Sequence, residues 1–366
     1  MNSASGPQPF YVRLAFKLAI ILMLGIIVRA EKIVIVPLFF AVLLSILLLP
    51  VTHFLERLKF PRALANLLSV LLALFVISGI VWFLSTHLTG FLKDFPTIRD
   101  SISLHFSELQ GWIERKFEIS TEQQNKFFNS AGSDLNISSA QVGQTLLTVT
   151  QTVLLMTLVA IYTFLILYYR KLIQRSIFAM YERNHQDKVQ EALQESKSMV
   201  QRYMQGLVIE MIIVAIANCT VLMLIGIKYA IFLGVLAAVL NIIPYIGIFS
   251  GMVFTVLVTM GTPASLHQVI WVVISMEIIH FIDANFLMPR IVGARVKINA
   301  LITILGAVIG GALIGIPGVF LALPTIAILK IIFDRVDDMK PWGMLLGDES
   351  PPSPLVKRIR RITSKK

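Results

Sequence analysis

Long apolar runs separated by short charged loops dominate this chain. The apolar segments lie at about residues 14–28, 33–50, 63–87, 145–169, 206–227, 229–245, 247–260, 266–288, 299–315 and 317–333. A bilayer core of roughly 30 Å takes about 20 apolar residues as a helix. The pattern therefore predicts an all-α polytopic integral membrane protein. Several segments are shorter than 20 residues and either cross at a tilt, fold back or form half-helices, so eight to ten hydrophobic helices are expected.

The last and longest apolar region, residues 206–332, is broken twice by Gly and Pro, at 241–247 and at 310–318. Backbone groups freed inside a membrane must be buried in protein or must face a watery cavity. Paired broken segments of this kind are typical of a transporter's solute site. The predicted substrate pathway comprises Asn241, Pro244, Tyr245, Gly247, Gly310, Gly311, Gly315, Pro317 and Gly318. Two roles stay open for the Asn241 amide, either coordinating a solute or satisfying freed carbonyls.

The charges of the loops predict the topology. Lys and Arg exceed Asp and Glu in 51–62, 170–205, 287–298 and the C-terminal tail, whereas 88–144 is net acidic. Positively charged loops remain in the cytoplasm, so both termini are expected inside and 88–144 outside. The resulting segments are 1–87 (transmembrane), 88–144 (external amphipathic helical segment), 145–169 (transmembrane), 170–205 (cytoplasmic linker helix), 206–333 (transport core with broken helices) and 334–366 (basic cytoplasmic tail).

Both segments outside the membrane have two open interpretations. In 88–131 apolar residues recur at steps of three or four, which indicates one face of a helix. This helix is either a cap on the transmembrane bundle or a gate or oligomer contact. The linker is either an amphipathic connector or a subunit contact.

Composition excludes several classes of function. Of the 366 residues, 56% are hydrophobic, and the net charge of +11 lies in short loops beside apolar segments. That charge is therefore a topology signal, and no nucleic-acid partner is expected. The single cysteine, Cys219, cannot form a disulfide within one chain. The sequence contains none of the familiar catalytic motifs for a hydrolase, zinc protease or nucleotide-binding loop, so we expect no enzyme activity, cofactor or metal.

Ionisable residues within apolar segments are costly and mark ion or proton pathways. Glu277, His280 and Asp283 are spaced three residues apart, so that neighbouring members share a helix face, and Asn285 follows them. A carboxylate beside a desolvated imidazole suits proton exchange or cation binding. Alternatively, Asp283 and Asn285 anchor the cytoplasmic end of their helix. Glu210 lies in another apolar segment, where a pathway role and an interfacial position are equally weighted.

Several motifs together resemble the autoinducer-2 exporter family of bacterial permeases. They lie at residues 54–62, 203–206, 226–230, 241–247, 289–293, 310–318 and 323–324. The resemblance runs from about residue 10 to 335. It implies a permease of the bacterial inner membrane and a homo-oligomer, with a pentamer as the expected form. Members of this family are described as exporters of the quorum-sensing signal autoinducer-2 and as sodium(lithium)/proton antiporters.

These observations support three functional hypotheses. The leading one is a secondary transporter that exports a small polar solute such as autoinducer-2. The second is exchange of a monovalent cation for a proton at Glu277, His280 and Asp283. The third is a channel-like or scaffold oligomer of the membrane. The lipid bilayer is the expected surrounding in all three.

Overall fold

The computed structural model describes residues 10–117, 141–243, 246–262, 265–288, 290–291 and 298–347. Pro244 and Tyr245, predicted to line the pathway, lie outside these ranges. So do residues 118–140 of the predicted external segment and residues 348–366 of the basic tail.

The regular structure of the described residues is helical. The helices are α1 (Phe10–Ala30), α2 (Lys32–Arg57), α3 (Arg62–Phe117), α4 (Gln141–Ala179), α5 (Arg183–Ile225), α6 (Ala230–Leu240), α7 (Ile246–Gly261), α8 (Leu266–Ile282), α9 (Ala300–Ile314), α10 (Ile316–Arg335) and α11 (Lys340–Leu346). A π-helical turn, Asp283–Leu287, follows α8, and a 3₁₀ turn, Asp337–Met339, precedes α11.

Six of these helices contain stretches that are long and apolar enough to cross a membrane, within α2, α3, α4, α5, α8 with its π turn, and α10. Four shorter apolar helices, Leu18–Ala30, Ala230–Leu240, Gly247–Gly261 and Ala300–Ile314, correspond to the remaining predicted segments. The prediction of an all-α polytopic membrane protein is therefore confirmed. Helix α3 continues from its spanning part into residues 88–117. The linker residues 186–205 belong to the same helix as the following spanning segment.

The chain divides into two compact units. One comprises residues 31–173 and 203–293, and the other comprises residues 1–30, 174–202 and 294–366. We call the first the core unit and the second the terminal unit, and each is described by itself.

Two clusters of apolar side chains hold the core unit together. One cluster joins α3, α5, α6, α7 and α8, and it includes Phe91, Leu222, Phe232 and Val272. The other cluster joins α2, α3 and α4. Lipid tails are as apolar as these side chains, so helix association in a bilayer depends on close packing rather than on a hydrophobic driving force. An ion pair between Glu56 of α2 and Arg170 of α4 supplements this packing; one guanidinium nitrogen contacts both carboxylate oxygens at 2.7 and 2.9 Å.

Helices α6 and α7 form an antiparallel hairpin inside the core unit. Gly247 packs on Leu240 and Gly251 packs on Ala237, so the two arms run in opposite directions from a tip whose described residues are 241–243. The arms have 11 and 16 residues, which correspond to about 16 and 24 Å at 1.5 Å per residue. Each arm is therefore shorter than a bilayer core of roughly 30 Å. This geometry corresponds to the fold-back alternative left open by the sequence.

Glycine permits the close approach of the first arm to α5. A Cβ atom on Gly234 would lie 2.6 Å from the backbone nitrogen of Cys219, which no side chain tolerates without a shift of the helices. The chain enters α6 through two left-handed residues, Gly226 (φ 81°) and Tyr229 (φ 71°). The hairpin is thus fixed against α5 at one end and tightly turned at its other end.

A second hairpin, α9 and α10, dominates the terminal unit. Its turn is Gly315, whose φ of 74° and ψ of −152° fall in a region that essentially only glycine occupies. Gly310 and Gly318 bring the two backbones into contact, since a Cβ on Gly310 would lie 2.8 Å from the carbonyl carbon of Gly318. In this unit Glu195 pairs with Arg335, and Asp337 pairs with two lysines.

Candidate functional site

Asp283, the first residue of the π-helical turn that follows α8, is a buried acidic residue that is only 4% exposed. Helix α8 starts with a capping box formed by Ser265 and Gln268, and it widens into a π-helical turn at Asp283. The Asp283 carbonyl accepts a hydrogen bond from the backbone N–H of Met288. Single π-helical turns in long helices are frequent at functional sites. The widened turn places a carboxyl group inside the core unit.

Three polar side chains from separate elements meet there. The Asn241 side chain, at the hairpin tip, donates from Nδ2 to Oδ2 of Asp283 at 3.0 Å. The carboxyl group of Glu210, on α5, lies beside that of Asp283. Glu210 is 6% exposed. When both carboxyl groups are ionised they repel each other, and a proton held between them removes that repulsion.

Asp283 borders a cavity of about 40 Å³. The residues that line the cavity come from the middle of α5, from the hairpin near its tip, and from the end of α8 with its π-helical turn. They are Val214, Asn218, Ala237, Asn241, Ile248, Met252, Met276, Glu277, Ile279, His280 and Asp283. Since a cavity needs at least about 10–15 Å³ to hold one water, this cavity accommodates a few waters or one small cation.

Buried oxygens without a protein partner mark the cavity as polar. Among the described residues they include Oε2 of Glu210, Oδ1 of Asn218 and Oδ1 of Asp283. A buried polar group left unsatisfied costs about 1–3 kcal/mol, so water, a proton or a cation is favoured beside these atoms. Carboxylate and amide oxygens are the ligands that hard cations prefer. The described residues contain no cluster of three or more His, Cys, Asp or Glu residues suited to a metal ion.

The structure brings several of the sequence-predicted residues to this cavity. Asn241, Glu277, His280 and Asp283 all line it, and Glu210 contacts Asp283. The Glu277 side chain is exposed and that of His280 is half-buried. Asn285 is exposed and donates from Nδ2 to the Phe281 carbonyl at 2.8 Å, within its own helix.

The predicted glycine positions have packing roles. Gly247 lies against the Leu240 carbonyl in the first turn of α7. Gly310, Gly311, Gly315, Pro317 and Gly318 all belong to the terminal unit. There, Gly310 and Gly318 allow the backbones of α9 and α10 to touch, Gly311 lies against Val319, Gly315 forms the turn, and Pro317 occupies the first turn of α10.

Asn218 is the polar lining residue that the predicted site omitted. It is 4% exposed and lies two helical turns after Glu210 on α5, with Val214 between them. The spacing of four residues between successive members puts all three on one helix face. That spacing was the signal in the sequence that could have linked Asn218 to Glu210.

The chain is similar to known bacterial transport proteins along most of its length. A family model described as "AI-2E family transporter" matches residues 16–338. "Putative transport protein YrrI" of Bacillus subtilis (strain 168) is 27% identical over 318 residues, which cover 82% of this chain and 86% of that protein. "AI-2 transport protein TqsA" of Escherichia coli (strain K12) is 24% identical over 350 residues, which cover 90% and 96%.

Proposed function

Because the chain belongs to the AI-2E transporter family, we propose that it is a proton-coupled secondary transporter whose Glu210–Asp283 carboxyl pair carries the coupling proton. Two buried carboxyl groups that lie side by side, one of which accepts a hydrogen bond from Asn241 at the hairpin tip, are the observation that carries this proposal. Family membership makes the chain a multi-pass membrane transporter. The proton step and the substrate are the new elements.

The charge of the carboxyl pair allows it to exchange a proton for another bound group. With one shared proton the pair bears a single negative charge, and without the proton it bears two. Two unit charges about 4 Å apart repel by about 4 kcal/mol at an effective dielectric constant of 20. The proton therefore leaves readily only when another positive or hydrogen-bonding group takes its place. A transporter uses such competition to couple one flux to the other.

The proposed cargo is a small polar solute that moves outward as a proton moves inward. TqsA, a relative along most of its length, is called an AI-2 transport protein, which makes autoinducer-2 the first organic solute to test. Asn241 joins the carboxyl pair to the hairpin tip through its hydrogen bond to Asp283. A solute that competed for the Asn241 amide would disturb Asp283 and thereby release the proton.

A second candidate function, exchange of a monovalent cation for a proton, is favoured by the size and oxygen content of the cavity. About 40 Å³ suits one small cation better than an organic molecule in this conformation. Two buried oxygens of its lining, Oδ1 of Asn218 and Oδ1 of Asp283, have no described partner. In this version the cation replaces the shared proton between Glu210 and Asp283.

The proposal also covers the membrane in which the protein lies and its oligomeric state. Membership of the family favours the bacterial inner membrane, and the basic loops favour an orientation with both termini in the cytoplasm. A homo-oligomer, with a pentamer as the expected form, remains part of the proposal. Crosslinking and mass measurement of the purified full chain would test the assembly.

A pH-gradient assay in everted membrane vesicles tests the proposed function. Autoinducer-2, Na⁺, Li⁺ and K⁺ are added in turn to vesicles with the wild type, Asp283→Asn, Glu210→Gln or the control Asp187→Asn, whose exposed carboxylate lies in the linker. We expect collapse of the gradient with one solute, at least ten-fold slower in both site variants and unchanged in the control. Wild-type flux that persists in both site variants would refute the proton role, and the responding solute identifies the cargo.

A further inference from the structure

A stripe of buried threonines leads away from the carboxyl cavity along α7. Ile248 and Met252 line the cavity, and Thr255, Thr259 and Thr262 follow at steps of three and four residues. These steps keep all five positions on one face of the helix. The three threonines are 1%, 0% and 7% exposed. We call Thr255, Thr259 and Thr262 the hydroxyl stripe.

The hydroxyl stripe offers acceptor atoms along a buried surface. Each hydroxyl donates its proton within the helix, to the carbonyls of Gly251, Thr255 and Thr259 respectively, each at 2.8 Å. The lone pairs of the three oxygens remain available as acceptors. Water, a proton carried by water or a small cation can use such acceptors in sequence.

The hydrogen bond from a threonine hydroxyl to a carbonyl of the preceding helical turn does not by itself explain why the threonines of the hydroxyl stripe are buried. Thr157 and Thr220 make the same bond to the carbonyl four residues earlier and are exposed. In the hydroxyl stripe, by contrast, consecutive turns of one helix place a hydroxyl on the buried face that begins at the cavity. The unpartnered Oδ1 atoms of Asn218 and Asp283, both more than nine-tenths buried, mark the polar start of this face.

The stripe has the length of a half-membrane path. Ten residues separate Met252 from Thr262, which is about 15 Å of helix and half of a bilayer core of roughly 30 Å. Its far end, Thr262, comes shortly before Ser265, which is exposed, and Gln268 of α8, whose side chain donates to the Ile225 carbonyl at 3.0 Å. The stripe therefore leads from the cavity toward the polar residues at the start of α8.

We infer that the hydroxyl stripe is the route along which water and the coupled proton pass between the cavity beside Asp283 and the membrane face at the start of α8. This inference rests on the proposed proton coupling for its transport role. The route is closed in this structure, since all three threonines are buried. It opens as a wetted path when the hairpin moves during turnover.

Cysteine accessibility tests the path independently of transport. Cys219 is the only cysteine of the chain, so Cys219→Ala provides a background in which Thr255→Cys or Thr259→Cys is the single thiol. The matched control is Val258→Cys, which neighbours Thr259 and is 2% exposed within the apolar cluster. Vesicles of both orientations are treated with a membrane-impermeant cationic methanethiosulfonate, which reacts with thiolates in water, at several pH values and with each solute.

We expect the thiol at position 259 to react at least ten-fold faster than the thiol at 258, from one side of the membrane only. Equal rates at the two positions, or no reaction at 255 and 259 under any condition, would overturn the path. This readout does not depend on flux, so it decides the inference even if the pH-gradient assay fails.

Removal of the hydroxyls tests the role in proton movement. Thr255→Val and Thr259→Val keep nearly the same shape, and we expect the double variant to slow the proton-linked flux about ten-fold. The control Thr220→Val removes an identically bonded but exposed hydroxyl and should leave flux unchanged. Unchanged flux in the double variant, with flux still lost in Asp283→Asn, would refute the stripe while the proposed function stood.

Discussion

Replacement of Gly247 by Ala should block transport by opening the tip of the α6–α7 hairpin. The added Cβ would lie 2.5 Å from the carbonyl carbon of Leu240 and 3.1 Å from the backbone nitrogen of Asn241. Carbon atoms in contact prefer about 3.5–4.0 Å, so the tip must move by about 1 Å. A shift of that size passed to Asn241 would stretch its 3.0 Å hydrogen bond to Asp283 to about 4 Å, beyond hydrogen-bonding distance.

Overpacking of this kind costs about 1–3 kcal/mol, to which the lost hydrogen bond adds. The matched control is Gly79→Ala in α3, because a Cβ there meets nothing within 4 Å. In a helix interior this control replacement should stabilise by about 0.4–1 kcal/mol. Thermal unfolding of the purified full chain in detergent measures both effects. The pH-gradient assay in vesicles then compares flux at equal amounts of inserted protein.

We expect Gly247→Ala to insert, to unfold at a lower temperature than Gly79→Ala, and to lose most of the proton-linked flux. If Gly247→Ala matched Gly79→Ala in both stability and flux, the close contact between Gly247 and Leu240 would not constrain the tip. The assignment of the tip to the transport cycle would then be refuted.

Three further predictions follow from individual contacts. Asp283→Leu should destabilise the chain by about 1–3 kcal/mol relative to Asp283→Asn, since it leaves the Asn241 amide without an acceptor; thermal unfolding of the two variants checks this. Gly315→Ala should cost about 1–3 kcal/mol through its backbone angles alone, measured in the same way. Lys340 and a second lysine lower the pKa of Asp337 from 3.8 to about 2, so its contribution to stability is present above pH 4 and lost as pH falls through about 2. The difference in melting temperature between wild type and Asp337→Asn should therefore shrink steadily as the pH falls from 4 to 2, and a constant difference from pH 7 to 2 would contradict the ion pairing.

The helical architecture was predictable because a lipid environment allows few solutions. The apolar runs are long, and a spanning segment must satisfy its backbone internally, so helices are the necessary outcome. The ends of the elements were less accessible. Composition changes at residue 88, yet α3 continues to Phe117, because amphipathic and apolar stretches are both compatible with one helix. Whether α6 and α7 cross or fold back depended on the packing of Gly247 and Gly251, which hydropathy does not report.

The sequence singled out individual residues of the candidate site, but it did not indicate which of them contact each other. Glu210, Asn241 and Asp283 each attracted attention because ionisable or amide groups are costly in an apolar segment. Spacing within one helix suggested that Asp283 pairs with His280. The structure instead shows contacts of Asp283 with Glu210 and Asn241, which are distant in sequence. Periodicity assigns residues to a face of their own helix, whereas contact across helices depends on how the faces pack.

The hydrogen bond between the hairpin tip and Asp283 offers a way to link protonation to movement in the proposed transport cycle. Asn241 belongs to the tip and Asp283 to the π-helical turn after α8, so displacement of the tip breaks a hydrogen bond to a carboxyl group that lies beside that of Glu210. A hydrogen bond to a charged group contributes about 1.5–3 kcal/mol, which corresponds to a bias of about 10- to 150-fold between two tip positions. By thermodynamic linkage, any change that alters the proton occupancy of the pair must alter the tip equilibrium by the same factor, and the reverse holds equally. A carboxyl pair on two rigid helices, without the tip amide, would bind a proton but would have no means of passing that event to a moving element.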